Sequence, residues 1–191
     1  MSLVDVAVST PRLELAPWRV EDAPDALGVY GEHEVARWLT PPVDPIADAA
    51  AMRALIEAWL AADVEAEPPV GHWAVRRRRD GAVIGSMVLR RMPPGEEDLE
   101  LAWQFAPVYW GNGYATEAAH AVARWGFERS AHELFAVARP NNVRAIRLAE
   151  RLGMQWVGET EKYYGMRLQV FRVRPPELIK PVIAPEQRQA G

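Results

Sequence analysis

The chain has 191 residues, 49% hydrophobic and 25% charged, which is enough to bury one core in a single domain. A net charge of -4 and a pI near 5.6 argue against a nucleic-acid partner, and the absence of cysteine removes disulfides, thiol nucleophiles and thiolate metal sites. The histidines His33, His72, His120 and His132 show no metal-ligand spacing. No apolar run approaches the roughly 20 residues of a membrane span and the N-terminus lacks an export pattern, so a cytoplasmic protein without metal or membrane contact is expected.

In chain order, TPRLELAPW alternates Leu13 and Leu15 with Arg12 and Glu14 and predicts a strand, and VEDAPDALGVYG a short helix. Asp44 or Asp48 then caps a helix through ADAAAMRALIEAWLAAD, whose apolar stripe Met52, Leu55, Ile56, Trp59 and Leu60 reads as core. HWAVRRRRDGAVIGSMVLRRM is a β-hairpin about Asp80-Gly81, with the arginines 76–79 at its charged end. LELAWQFAP is another strand and leads into VYWGNGYATEAAHAVARWGF, where Ala115, Ala118, Ala119, Val122 and Trp125 or Gly126 share one helical face. HELFAVARP gives a strand, Asn141 or Asn142 caps VRAIRLAERL, Gly153 ends that helix, and MQWVGETEKYYGMRLQVFRVRP supplies two more strands. The pattern is α/β in the α+β sense: one domain with a mixed, mostly antiparallel sheet flanked by helices, a core over about 10–175 and a proline-containing tail.

The glycine turn carries the first functional signal. A helix N-terminus presents N–H groups without intrahelical acceptors and a partial positive charge, so it binds an anion without a basic side chain. Gly111 and Gly113 let the backbone turn and approach a diphosphate closely; the plain alternative is a tight strand-to-helix turn. Tyr114 and Ala115 follow Gly113 where a P-loop needs lysine and serine or threonine, and Thr116 stands where a dinucleotide fingerprint needs glycine.

ELAWQFAPVYWGNGYATEA and NNVRAIRLAERLGMQWVGE, at this separation and in this strand and helix context, resemble the GCN5-related N-acetyltransferases. Within that family they are similar to the ribosomal-protein N-terminal (RimJ/RimL-like) branch, over most of the chain from TPRLEL to FRVRP. The resemblance implies the acyl-CoA N-acyltransferase fold and acetyl-CoA as co-substrate, its diphosphate on backbone amides of Gly111, Asn112, Gly113, Tyr114 and Ala115 with Thr116 at the helix start. Trp110 stands where many relatives have arginine or glutamine. Pantetheine is then expected along the preceding strand near Gln104, Phe105 and Ala106, with an N–H aimed at the thioester oxygen. Asn142 matches the asparagine that reaches the cofactor, Arg147 is a second contact, and Ala145 replaces a frequent serine.

The implied reaction is direct attack of a primary amine, from a small molecule or a protein N-terminus, on the thioester. An α-amine (pKa about 7.7–8.0) or a lysine amine (about 10.4) must first lose a proton. Glu100 is the candidate base, while Glu117 reads as a helix-dipole stabiliser. Ala149 occupies the position of the family's late-helix tyrosine, which leaves water, Tyr163 or Tyr164 to protonate the thiolate; Tyr164 is carried forward. Trp103 or Trp73 can wall the acceptor pocket, and Tyr163 and Tyr164 either line it or sit at a hairpin tip. A homodimer through the late strands is one implied arrangement. Two other readings exist: a non-catalytic acyl-CoA-binding module, and a nucleotide-binding oxidoreductase, against which Pro140-Asn141-Asn142 replaces the required ribose-binding acid.

Overall fold

In the computed structural model the described residues are 7–183. Met1 to Val6 and the end of the proline-containing tail, 184–191, lie outside them. In chain order the elements are β1 (Val8–Ser9), β2 (Leu13–Pro17), α1 (Ala23–Tyr30), α2 (His33–Ala36), α3 (Ala49–Glu65), β3 (Gly71–Arg77), β4 (Val83–Arg91), β5 (Leu99–Phe105), α4 (Tyr114–Phe127), β6 (Leu134–Ala138), α5 (Val143–Arg151), β7 (Gln155–Thr160) and β8 (Leu168–Val173). Each expected element forms; β1 and the four-residue α2 are additions too short for periodicity to reveal.

The strands make one eight-stranded sheet in the order β1-β2-β3-β4-β5-β6-β8-β7, antiparallel at every junction except β5–β6. Gly81, at φ +72°, turns the β3–β4 hairpin, as the Asp-Gly pair predicts. Period-2 alternation divides the buried side chains between two faces. On one, Trp73, Leu89, Leu101 and Phe105 pack under α4, whose Ala118, Ala119, Ala123 and Gly126 keep the helix close. A Cβ at Gly126 would lie 3.2 Å from Leu89, and Trp73 meets Trp125 edge to face at 5.0 Å. On the other, Ala74 and Ala106 pack with Trp18, Tyr30, Met52 and Ile56 from the α1–α3 layer. Asp48, not Asp44, caps α3, accepting from Ala51 N–H at 2.9 Å. The result is a single mixed α/β domain with helices on both faces of the sheet.

One junction positions everything that follows. β5 and β6 are parallel and share a single register pair, Glu100 with Phe135, whereas β6 pairs with β8 along its whole length. Beyond Phe135 the two strands part, and the sheet opens beside the second half of β5.

Candidate active site

The opening leaves part of β5 without a neighbour. Ala106 N–H donates to Ile84 O at 3.0 Å. Antiparallel alternation then turns the backbone groups of Ala102, Gln104 and Ala106 towards β4, and those of Leu101, Trp103 and Phe105 towards the gap. Of the backbone groups expected near Gln104, Phe105 and Ala106, those of Phe105 face the gap and those of Gln104 and Ala106 face β4. Trp103 and Phe105 present the outward N–H groups, Gln104 contributes its side chain to the cavity, and Ala106 is buried outside the lining with its N–H committed. Trp110 Nε1 donates to Phe105 O at 2.7 Å, fixing the end of the strand.

The glycine turn follows. Gly111 and Gly113 have φ +80° and +77°, a left-handed conformation that favours glycine, and a Cβ on Gly111 would meet nothing within 4 Å. Gly113 is the N-cap of α4 and has no side chain to cap it, so the first-turn amides, Ala115 and Thr116 among them, lack intrahelical acceptors. Asn112 turns its amide inward, donating to Tyr109 O (3.1 Å) and Trp110 O (3.0 Å). Arg12, just before β2, braces the turn. Its Nη1 donates to Asn112 O at 3.1 Å, its Nε to Glu117 at 2.7 Å, and its guanidinium lies 4.6 Å from the centre of the Tyr114 ring. Glu117 is only 2% exposed and also accepts from Thr10 Oγ1 (2.6 Å) and Arg12 N–H (3.0 Å). It is a buried clamp joining strand, helix and turn.

The opposite wall comes from α5. Asn142 is its N-cap, accepting from Ala145 N–H at 3.2 Å through Oδ1, which leaves its Nδ2 for the cleft. Arg147 lines the same cavity, and Arg144 stacks over Trp110 at 4.2 Å. Ala149 is buried at the position where the resemblance implies tyrosine. Gly111, Gly113, Tyr114, Ala115, Thr116, Gln104, Phe105, Asn142, Arg147 and Glu100 thus border one cavity of about 960 Å³. Ala106, Asn112 and Tyr164 stand behind its lining.

Glu100 is not a solvated strand end. It is 3% exposed, and its Oε2 accepts from Arg90 Nε (2.7 Å) and Tyr164 O–H (2.5 Å). Burial, reinforced by the Glu100 charge, pushes the Tyr164 hydroxyl well above the ordinary tyrosine value. Tyr163 is likewise turned inward and donates to Asp98 at 2.6 Å. From Glu100 the cavity continues over the α1–α3 face, past Tyr30, whose hydroxyl donates to Gln104 at 3.2 Å, to Trp59 and His72. Trp103 borders this cavity; Trp73 lies in the core beneath α4.

A family model described as the acetyltransferase (GNAT) domain matches residues 12–155. The chain belongs to the GNAT acetyltransferase family. YnaD, an uncharacterised N-acetyltransferase of Bacillus subtilis, is 35% identical over 86 residues, covering 44% of this chain and 50% of YnaD. YkkB of the same organism, an uncharacterised protein, is 33% identical over 96 residues, 49% and 56% of the two chains. The chain therefore spans about half the length of these two relatives. Among solved structures, one provisionally named a ribosomal-protein-serine acetyltransferase from Vibrio cholerae superposes with a TM-score of 0.73 at 22% identity, covering 92% of this chain and all of that one. An acetyltransferase of the GNAT family from Bacillus anthracis gives 0.73 at 20% identity, over 90% and 100%. The GNAT fold and family membership follow from these matches, and GNAT enzymes generally use acetyl-CoA.

Sequence reasoning missed Arg12, Arg90 and His72. Arg12 finds Glu117 105 positions away, and Arg90 and His72 meet Glu100 and Asp63 only once the strands and α3 are in place, so no local spacing signals them. The arginine run is structural, as its position beside the hairpin turn predicts: Arg76 pairs with Asp22 (2.6 Å), Arg77 and Arg79 with Asp80, and Arg78 donates to Thr10 O (3.3 Å). No helix among the described residues is long and apolar enough to cross a membrane.

Proposed function

We propose that the protein transfers the acetyl group of acetyl-CoA to a primary amine, of a small molecule or a protein N-terminus, as the ribosomal-protein branch of the family does. The observation that carries this is the parted β5–β6 pair opening beside the uncapped N-terminus of α4, which offers strand amides and helix-end amides to one elongated ligand. The residues fit that ligand: the Gly111–Thr116 turn suits the diphosphate, Asn142 and Arg147 flank it, and the outward groups of Trp103 and Phe105 suit the pantetheine amides. Bound acetyl-CoA supplies the electrophilic thioester carbonyl.

The chain's own residues do the rest. The outward N–H of Phe105 or Trp103 polarises a carbonyl in the gap, where a fixed donor favours growing negative charge. Glu100 is held in place by Arg90, whose Nε donates to its Oε2. Its Oε1, without a protein partner among the described residues, holds the acceptor ammonium and takes its proton. Tyr164 does not border the cavity and acts through Glu100 as a positioning residue, keeping its own proton throughout the working pH range. With Ala149 in place of tyrosine, water protonates the departing thiolate, a tolerable leaving group because its thiol has a pKa near 8.5.

Amine-dependent thiol release from acetyl-CoA tests this reading. Glu100→Gln should lower kcat by about 10²–10⁴-fold with acetyl-CoA affinity retained, the usual range for a lost general base. Tyr164→Phe should cost less and act chiefly on acceptor KM. Absence of any amine-stimulated thiol release from a protein that binds acetyl-CoA would sink the transferase reading in favour of a binding module.

A further inference from the structure

The acceptor end of the cavity has a built shape and chemistry of its own. Arg139, at the end of β6, donates to Arg37 O at 2.5 Å, and Arg90 on β4 donates to Thr40 O at 2.9 Å. These two bonds tie the segment after α2 to strands on both sides of the sheet opening, forming a roof. An extended polypeptide crossing the cleft would have to break them. Under the roof the walls are apolar and aromatic, chiefly Trp38, Ile46, Leu55 and Trp59.

Charge narrows the choice further. Among the described residues two carboxylates border this cavity, Glu34 and Glu100, and each already has an arginine: Arg37 at 3.4 Å and Arg90 at 2.7 Å. A polyamine or an amino sugar with several ammonium groups would find no second anion to meet it, and burying an unmatched ammonium is costly. A single ammonium beside Glu100 with an apolar body behind it matches the lining.

The far end holds one polar device. His72 on β3 accepts or donates at Nδ1 with Asp63 Oδ1 at 2.7 Å, and its N–H donates to Asp63 Oδ2 at 3.0 Å. Trp59 stacks on the ring, nearly parallel at 7° with centroids 5.6 Å apart. Asp63 thereby fixes the ring, His72 borders the cavity, and Nε2 has no protein partner among the described residues. Register aligns His72 with Val88 and Ala102, so β3 stands two strand spacings, about 10 Å, from β5.

Resting on the transferase reading, we propose that the acceptor is a small monoamine with a flat aromatic body. Its ammonium lies at Glu100, its ring against Trp59, and a distal hydroxyl meets Nε2 of His72. With Nδ1 bonded to Asp63, Nε2 is the ring atom left to meet that hydroxyl.

The test uses the full chain with acetyl-CoA and four probes: tyramine, phenethylamine, spermidine and a peptide with a free N-terminal serine. Tyramine should show the highest kcat/KM, about tenfold above phenethylamine as one satisfied hydrogen bond predicts, and further above spermidine and the peptide. His72→Phe should bring tyramine and phenethylamine within about twofold of each other while acetyl-CoA affinity stays unchanged. Preference for spermidine or the peptide would overturn the proposal, as would a His72→Phe loss shared equally by all four probes. Calorimetry of tyramine into CoA-saturated protein separates the two readings. Binding that weakens in His72→Phe without turnover would refute acetyl transfer and keep the pocket assignment, and turnover of other amines without tyramine binding would do the reverse.

Discussion

Replacing Glu117 by alanine removes the clamp beneath the glycine turn. The carboxylate is 2% exposed and receives Thr10 Oγ1, Arg12 N–H and Arg12 Nε at 2.6, 3.0 and 2.7 Å. Truncating one partner of a buried pair costs about 3–5 kcal/mol, because the other charge stays desolvated. Arg12 keeps its bond to Asn112 O, and its side chain is 12% exposed, so the lower end of that range applies. For a chain of this size about 3 kcal/mol lowers Tm by roughly 6–12 °C. Urea unfolding gives the free energy and calorimetry the Tm. The double variant Arg12→Met with Glu117→Met removes both charges and should recover most of the loss. A Glu117→Ala loss below about 1 kcal/mol, or a double variant no better than the single one, would refute the clamp.

Trp110→Phe keeps the ring over Arg144 but deletes the bond to Phe105 O; acetyl-CoA affinity should fall about fivefold, the worth of one hydrogen bond of about 1 kcal/mol, measured by calorimetry, and an unchanged affinity would show that the strand end needs no anchor. Asp98 is opposed in its ionisation by burial, but hydrogen bonds from Tyr163 and Lys162 prevail and hold its carboxyl below the usual value. With the folded pKa depressed, the contribution to stability is complete above the unfolded pKa of about 3.9 and is lost as pH falls through the folded pKa. Tm measured against pH should show this acid-side fall in the wild type, and Asp98→Asn should flatten it; identical profiles would exclude Asp98.

Local physics made much of the fold legible. The Asp80-Gly81 turn, the Asn142 cap, the small-residue face of α4 and the αL glycines each express a requirement of the backbone at one place, and each is written in adjacent residues. The glycine turn announced a helix end open to an anion for the same reason. What stayed hidden depends on pairs that the fold, and not local spacing, brings together. Glu117 reads as a helix-dipole residue until Arg12 arrives from 105 positions away, and Glu100 reads as a solvated strand end until Arg90 and Tyr164 close on it. The donors on β5 were placed one residue out of phase at Gln104 and Ala106, because the parity of an antiparallel ladder is set by the neighbouring strand. His72 and Asp63 are nine residues apart, but only the turn between α3 and β3 brings imidazole and carboxylate together.

The measurement that bears most directly on the central claim is calorimetric titration of acetyl-CoA into the wild type and into Gly113→Val, with NAD as control ligand. At φ +77° a β-branched side chain strains the turn by about 1–3 kcal/mol. The wild type should bind acetyl-CoA and not NAD, and the variant, still folded by circular dichroism, should bind about 5–100-fold more weakly as the amides lose their aim. A wild type that does not bind acetyl-CoA, or a folded Gly113→Val variant that binds it equally well, would contradict the glycine turn as a diphosphate cradle.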